Sequence, residues 1–216
     1  MSISSQLKFA IPFALVAATG AHATVISGVV TGGQALGQGG TFVKIDPIPG
    51  GLVVGNDNQQ SPNLWAFDED QNIAIGSNIS VDVGTSLMAG DTVASHYVFF
   101  DPGPSTTISA TVTFDSAIVG IATSTQNLAD SDFLANTMVT YLNPSLRGLE
   151  NAQDTVTIIG PNTIQIDFRA STPGDYIRVF TEFSPGANVP APGALGLLGL
   201  GIVALGLRAR RTAASA

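Results

Sequence analysis

Between Phe67 and Asn72 the chain reads FDEDQN, the stretch whose residue types and spacing come nearest to a known chemistry. Asp68, Asp70 and Asn72 stand at alternate positions, which is how the ligands of a calcium loop begin. The sixth loop position would be Ile73 rather than Gly and the twelfth Ile79 rather than Glu. Calcium is therefore the one cofactor the residues offer, on an incomplete loop, and a solvated acidic corner between strands is the competing reading. No other cofactor is expected.

The remaining reactive residue types are thinly supplied. His96, in ASHYVFF, is the only histidine beyond His22, and the chain has no cysteine. Thiol chemistry and thiolate metal sites are excluded, and zinc would need more His or Cys than the chain offers. On strand alternation His96 shares a face with Ala94, Val98 and Phe100, the setting of a hydrogen-bonded structural histidine. Serines and aspartates abound, but no nucleophile-elbow sequence accompanies them. Carboxylates occur singly at turns and strand positions rather than as the facing pair a glycosidase uses. Trp65 could join Tyr97, Tyr141 and Tyr176 as a sugar-stacking platform, yet between Leu64 and Phe67 it reads first as core. No catalytic residue is assigned, and the chain is not read as an enzyme.

These residues need elements to hold them, and the sequence describes β-strands. Ile79, Val81 and Val83 alternate with polar residues, as do Ile108, Ala110, Val112 and Phe114. So do Ile164, Ile166 and Phe168, and then Ile177, Val179 and Phe183. Period-two alternation marks strands with one buried and one wet face. DPIPGG, NDNQQSPN, DPGPS, GPN and STPGD separate them with turn chemistry. A short helix is expected within Asn127–Asn136, capped by Asp130 or Ser131. TGGQALGQGG, from Thr31, reads as a flexible lead-in. The expected fold is all-β, an antiparallel β-sandwich of jelly-roll type over residues 24–183, flanked by an N-terminal signal helix and a C-terminal hydrophobic helix.

Charge narrows the partners. All sixteen acidic residues lie within residues 44–182, against Lys44, Arg147, Arg169 and Arg178 as the only cations there, a net charge near −12. Such a surface repels nucleic acid and anionic lipid.

The two ends carry addresses. Lys8, the apolar run Phe9–Ala18 and the small residues Ala21 and Ala23 form a secretory signal over residues 1–23, cut by signal peptidase ahead of Thr24. The mature domain is tethered through SPGAN, residues 184–188. VPAPGALGLLGLGIVALGLRARR follows, with no charge from Ala191 to Leu207. Seventeen residues at ~1.5 Å each give a helix of roughly 26 Å, long enough for a thin bilayer core. Arg208, Arg210 and Arg211 would hold its end in the cytoplasm, followed by the tail end 212–216.

This terminus resembles the PEP-CTERM sorting signal of exported Gram-negative proteins, whose three parts are a Val-Pro-Glu-Pro-like motif, a glycine- and leucine-rich helix and a basic cluster. Here they read Val189-Pro190-Ala191-Pro192, GALGLLGLGIVALGL and RARR across residues 189–211, with Ala191 where the family carries Glu. VASHYVFFDPGPS, YLNPSLRGLE and ASTPGDYIRV are similar to ectodomains that carry such signals. The resemblance implies a route: a Sec-type translocon, signal peptidase, transient anchoring in the inner membrane, and cutting by an exosortase near the Pro motif. The domain would then reach the cell surface or an exopolysaccharide biofilm matrix. Its expected role there is structural or adhesive. The alternative is a carbohydrate-binding or carbohydrate-cleaving module acting on exopolysaccharide, with calcium as a candidate aid.

Overall fold

The computed structural model describes residues 24–149 and 152–183. Strand β1 (Val25–Gly32) leads into a one-turn helix α1 (Gly33–Gly37), then β2 (Phe42–Lys44), β3 (Leu52–Val54) and β4 (Leu64–Asp68). The short strands β5 (Ile73–Ala74) and β6 (Val83–Gly84) precede the long pair β7 (Thr92–Phe100) and β8 (Thr106–Phe114). After β9 (Ile118–Ala122), α2 (Thr125–Asp130) and β10 (Val139–Tyr141), the chain closes with β11 (Thr155–Gly160), β12 (Thr163–Ala170) and β13 (Asp175–Glu182).

Two sheets form the sandwich. The smaller runs β1-β8-β12-β11, antiparallel throughout. The larger runs β2-β4-β7-β13-β9-β6, with β5 also paired to β7. Ile108, Ala110, Val112 and Phe114 of β8, with Ile164, Ile166 and Phe168 of β12, meet Val98, Phe100, Ile177 and Val179 of the larger sheet in one core. Each Val, Ile or Phe side chain among these contributes about 1.5–3 kcal/mol when removed from water.

A second core lies on the other face of the larger sheet. Phe67, Tyr97, Phe99, Tyr176 and Phe180 are covered by Leu52, Val54, Ile79, Leu87, Leu128 and Leu134 from loops, α2 and the parallel pair β3/β10. The central strands β7 and β13 are therefore buried on both faces. This corrects the expectation of one wet face per strand: Tyr176, Arg178 and Phe180 are as fully enclosed as Ile177 and Val179. Phe183 lies beyond the end of β13 and is exposed.

Three local expectations change as well. Ile79, Val81 and Val83 form one isolated bridge, Ile79–Leu87, and a two-residue strand, Val83–Gly84, with Ile79 packed in the second core. The lead-in TGGQALGQGG is built into the fold: β1 ends at Gly32, α1 follows, and Ala35 is buried. Gly33 has φ +81°, and a Cβ there would collide with the Thr107 carbonyl, so glycine is required. The predicted helix begins earlier, at Thr125, with Ser124 as its cap, and a separate 3₁₀ turn spans Asp132–Leu134.

Candidate functional site

A cleft of about 520 Å³ is lined by Thr24, Asp46, Asp68, Glu69, Gln71 and Asn136, with Ile45, Pro47, Ile48 and Met138 as its apolar part. Its floor is the end of β4, where two successive carboxylates turn to opposite faces of the sheet by strand alternation.

Asp68 faces the sandwich core. Its Oδ1 accepts hydrogen bonds from the Val25 amide at 2.9 Å and pairs with His96 Nδ1 at 2.8 Å. Its Oδ2 accepts the Thr24 hydroxyl at 2.8 Å and lies 3.0 Å from Lys44 Nζ. Lys44 also donates to the Thr24 hydroxyl and lies 3.4 Å from Asp46. Burial alone would raise the Asp68 pKa, but His96, the Val25 amide and Lys44 together hold it below the usual carboxylate value. His96 itself is fully enclosed, its Nε2 3.1 Å from the Thr181 hydroxyl and its ring centroid 5.0 Å from that of Phe114.

Glu69 faces the second core. Arg178 on β13 grips it with two bonds, Nε to Oε2 at 2.6 Å and Nη2 to Oε1 at 2.9 Å. The Ser95 hydroxyl donates to Oε2 at 2.6 Å and the Tyr141 hydroxyl to Oε1 at 2.7 Å. Nη1 of Arg178 donates to Leu128 O, Ser131 Oγ and Asp132 Oδ1, which joins the α2 segment to the sheet. Asp132 in turn holds the buried Arg147 through Nη1 at 2.9 Å and Nη2 at 2.6 Å. Burial would lower the Arg178 pKa, but Glu69 reverses the shift and keeps the guanidinium charged. The phenol of Tyr141, buried and facing Glu69, is pushed up.

Each of these two carboxylates thus meets four donor atoms, two on each oxygen, from four residues at Asp68 and three at Glu69, which fills the roughly four acceptor positions a carboxylate has. A cation bound at Asp68 would have to displace one of them. Of its expected companions, Asp70 donates its backbone N–H to Leu134 O at 3.1 Å, and its carboxyl pKa is raised by burial and by Glu69. Asn72 sits in a left-handed conformation with φ +56°. Among the described residues no group of three or more His, Cys, Asp and Glu side chains is placed to hold a metal ion.

The four aromatics weighed as a sugar platform pack together in the second core, Tyr97 lying 5.2 Å from Tyr141 and 6.0 Å from Tyr176 between ring centroids. Tyr97 and Tyr176 are fully buried, Tyr141 is occupied with Glu69, and Trp65 is half-buried against Phe99, ring centroids 6.5 Å apart. Sequence reasoning missed Glu69, Arg178, Asp132 and Arg147 as a unit. The only signal was that Arg147 and Arg178 are two of just four cations in an acidic domain.

Ala21, Ala23, the motif Val189–Pro192, the expected span 191–207 and the basic cluster Arg208, Arg210 and Arg211 lie outside the described residues. Among the described residues no helix is long and apolar enough to cross a membrane. No curated protein and no solved structure matches the chain. A family model does match its C-terminal segment, at residues 188–211, and its description is the PEP-CTERM protein-sorting motif. The aligned region takes in the Pro motif, the apolar run and the arginines. The chain thus carries the PEP-CTERM protein-sorting motif that marks exported proteins as exosortase substrates.

Proposed function

We propose that residues 24–183 are the cargo of this sorting route and act at the cell surface or in an exopolysaccharide matrix as a structural or adhesive module. The observation that carries the reading is the saturation of Asp68 and Glu69. The two carboxylates best placed to do chemistry in the cleft are spent on holding β1, β2, β4, β7, β13 and the α2 segment together. A general acid or base needs a free position on oxygen, and a structural carboxylate does not.

In this reading signal peptidase cuts after Ala23, the C-terminal segment halts in the inner membrane, and exosortase releases the domain near Pro190. The test is the intact mass of the protein from medium, surface and membrane fractions of a host carrying the exosortase system. A species running from Thr24 to about Val189 in the medium or surface fraction is expected. A membrane species that keeps Arg208–Ala216 as the end product would replace this reading with permanent anchoring.

The cleft favours one second reading, a carbohydrate-binding module. Asn136, Gln71 and the largely exposed Asp46 beside Ile48 and Met138 offer polar and apolar contacts to a sugar. Saturable binding of a neutral oligosaccharide that Asn136→Ala abolishes would favour it over the structural role.

A further inference from the structure

Asp68 and Glu69 have their acceptor positions filled, but Asp57 and Asp101 do not. Asp101 follows directly on β7 and is fully buried. The loop between β3 and β4 closes over it. The Gln59 amide donates to Asp101 Oδ2 at 2.9 Å, and the Ser61 amide donates to Asp101 O at 3.0 Å. The other carboxylate oxygen, Oδ1, is withdrawn from water and meets no hydrogen-bond donor. Asp57 stands two residues before Gln59, so the chain keeps its Cα within ~7 Å of the Gln59 Cα. Its Oδ1 is likewise enclosed and without a donor. The two carboxylates are close enough for Asp57 to oppose ionisation of Asp101, and both charges act on the buried Tyr176 phenol.

Among the described residues no cation of the domain answers this pair. Lys44 lies against Asp46 and Asp68, Arg147 against Asp132, and Arg178 against Glu69 and Asp132, while Arg169 donates to Gln153. Two like charges with enclosed, unbonded oxygens are costly unless a positive ion stands between them. We propose that Asp57 and Asp101 form a calcium site, each giving its enclosed oxygen to one ion. The donor set selects the metal. The loop reads NDNQQ over residues 56–60, so its ligands are carboxylate, amide and backbone oxygens, with neither thiolate nor imidazole for a softer ion. Calcium takes six to eight oxygens in a flexible geometry, whereas magnesium demands a tight octahedron. Two carboxylates therefore leave positions that carbonyls of the loop and water complete, and such a site needs no third acidic side chain. Asn58 and Gln59 also line a hollow of about 330 Å³, which gives the loop open space for an ion to enter. With only two charged ligands the affinity should fall near ~10⁻⁴–10⁻³ M, the range of extracellular modules. The ion would pin the β3–β4 loop to the end of β7, away from the FDEDQN corner, where Asp68 is already filled. This goes beyond the structural reading and holds wherever the ends are cut.

The test is thermal unfolding of the exported protein recovered from cells expressing the full chain, first in EDTA and then in ~10 mM calcium chloride. Calcium should raise the midpoint by roughly 3–10 °C, the shift that this affinity gives in a domain of this size. Titration calorimetry should count one ion per chain. Asp57→Asn and Asp101→Asn should each abolish the shift. Neither should lower the midpoint in EDTA, because each removes one of two opposed charges, and that midpoint also shows that the variant folds. Asp70→Asn, in the FDEDQN corner, should keep the full shift, and magnesium at the same concentration should give far less. Four results would each overturn the assignment. They are no shift in the wild type, a shift that survives in both Asn variants, a shift that magnesium matches, and a shift lost in Asp70→Asn. A fall of the EDTA midpoint in both Asn variants would overturn it as well, since the carboxylates would then hold the loop without an ion.

Discussion

Arg178 grips Glu69 across 109 residues of sequence, from β13 to the end of β4, with both side chains fully withdrawn from water. The pair ties the middle of the larger sheet to the acidic floor of the cleft, and through Leu128, Ser131 and Asp132 it also fastens the α2 layer. Two desolvated charges are tolerated here because each offsets the other, Ser95 and Tyr141 fill the remaining positions on Glu69, and Nη1 of Arg178 is bonded to the α2 segment.

Removing one partner strands the other charge in the interior. Arg178→Met is expected to destabilise the protein by about 3–5 kcal/mol, since Glu69 would be left buried and uncompensated. The double variant Arg178→Met with Glu69→Leu should recover much of that loss. Urea titrations followed by circular dichroism measure both. A single variant within 1 kcal/mol of wild type, on the order of a surface pair, would show that water reaches Glu69.

Asp82 organises the start of α2 from a distance. Its Oδ2 accepts from the Thr123 amide at 2.7 Å, the Ser124 amide at 2.9 Å and the Ser124 hydroxyl at 3.1 Å, and its Oδ1 accepts from Asn127 at 2.9 Å. It thereby supports the helix cap at Ser124, whose own bond to Asn127 N is long at 3.4 Å. Asp82→Ala should cost about 0.5–2 kcal/mol, the range of a lost cap. Local hydrogen exchange at Thr123–Asn127 should accelerate more than exchange in β8 or β12.

Acid stability follows from the sign of the carboxyl shifts. Burial opposes ionisation of Asp68 and Asp82, but the partners described above outweigh it and both pKa values are lowered. Such groups stabilise the fold above the ordinary carboxylate value of ~3.9, and that stability is lost as pH falls through the lower folded value. Asp101 has the opposite sign. Burial, helped by Asp57, raises its pKa against the Gln59 and Asn58 amides, so its protonation restores stability as pH falls through the raised value. Urea midpoints measured from neutral pH downward should therefore fall more steeply in Asp101→Asn than in wild type, and less steeply in Asp82→Asn. Parallel curves for all three proteins would show that other carboxyls control the acid limb.

Local patterns in the sequence were enough for the sorting motif and for the strands with a wet face. β8 and β12 alternate cleanly because one side of the smaller sheet meets water, and residue type then reports the face. β13 alternates in the same way to the eye, with Arg178 in a polar position, yet it has no wet face. Once a second layer covers the larger sheet, a polar residue there must be paired instead of hydrated, and alternation does not name its partner. Glu69 is that partner through the folding of a hundred intervening residues. Ile79 has alternating neighbours that suggest a strand, yet it makes only the single bridge to Leu87 while its side chain packs into the second core. Asp68 was legible as a ligand-type residue in FDEDQN. That its four acceptor positions are filled by Thr24, Val25, Lys44 and His96 was decided only when β1, β2, β4 and β7 came together. Periodicity and export motifs are short-range properties of a chain, while the choice of a buried charge's partner is a property of its packed layers.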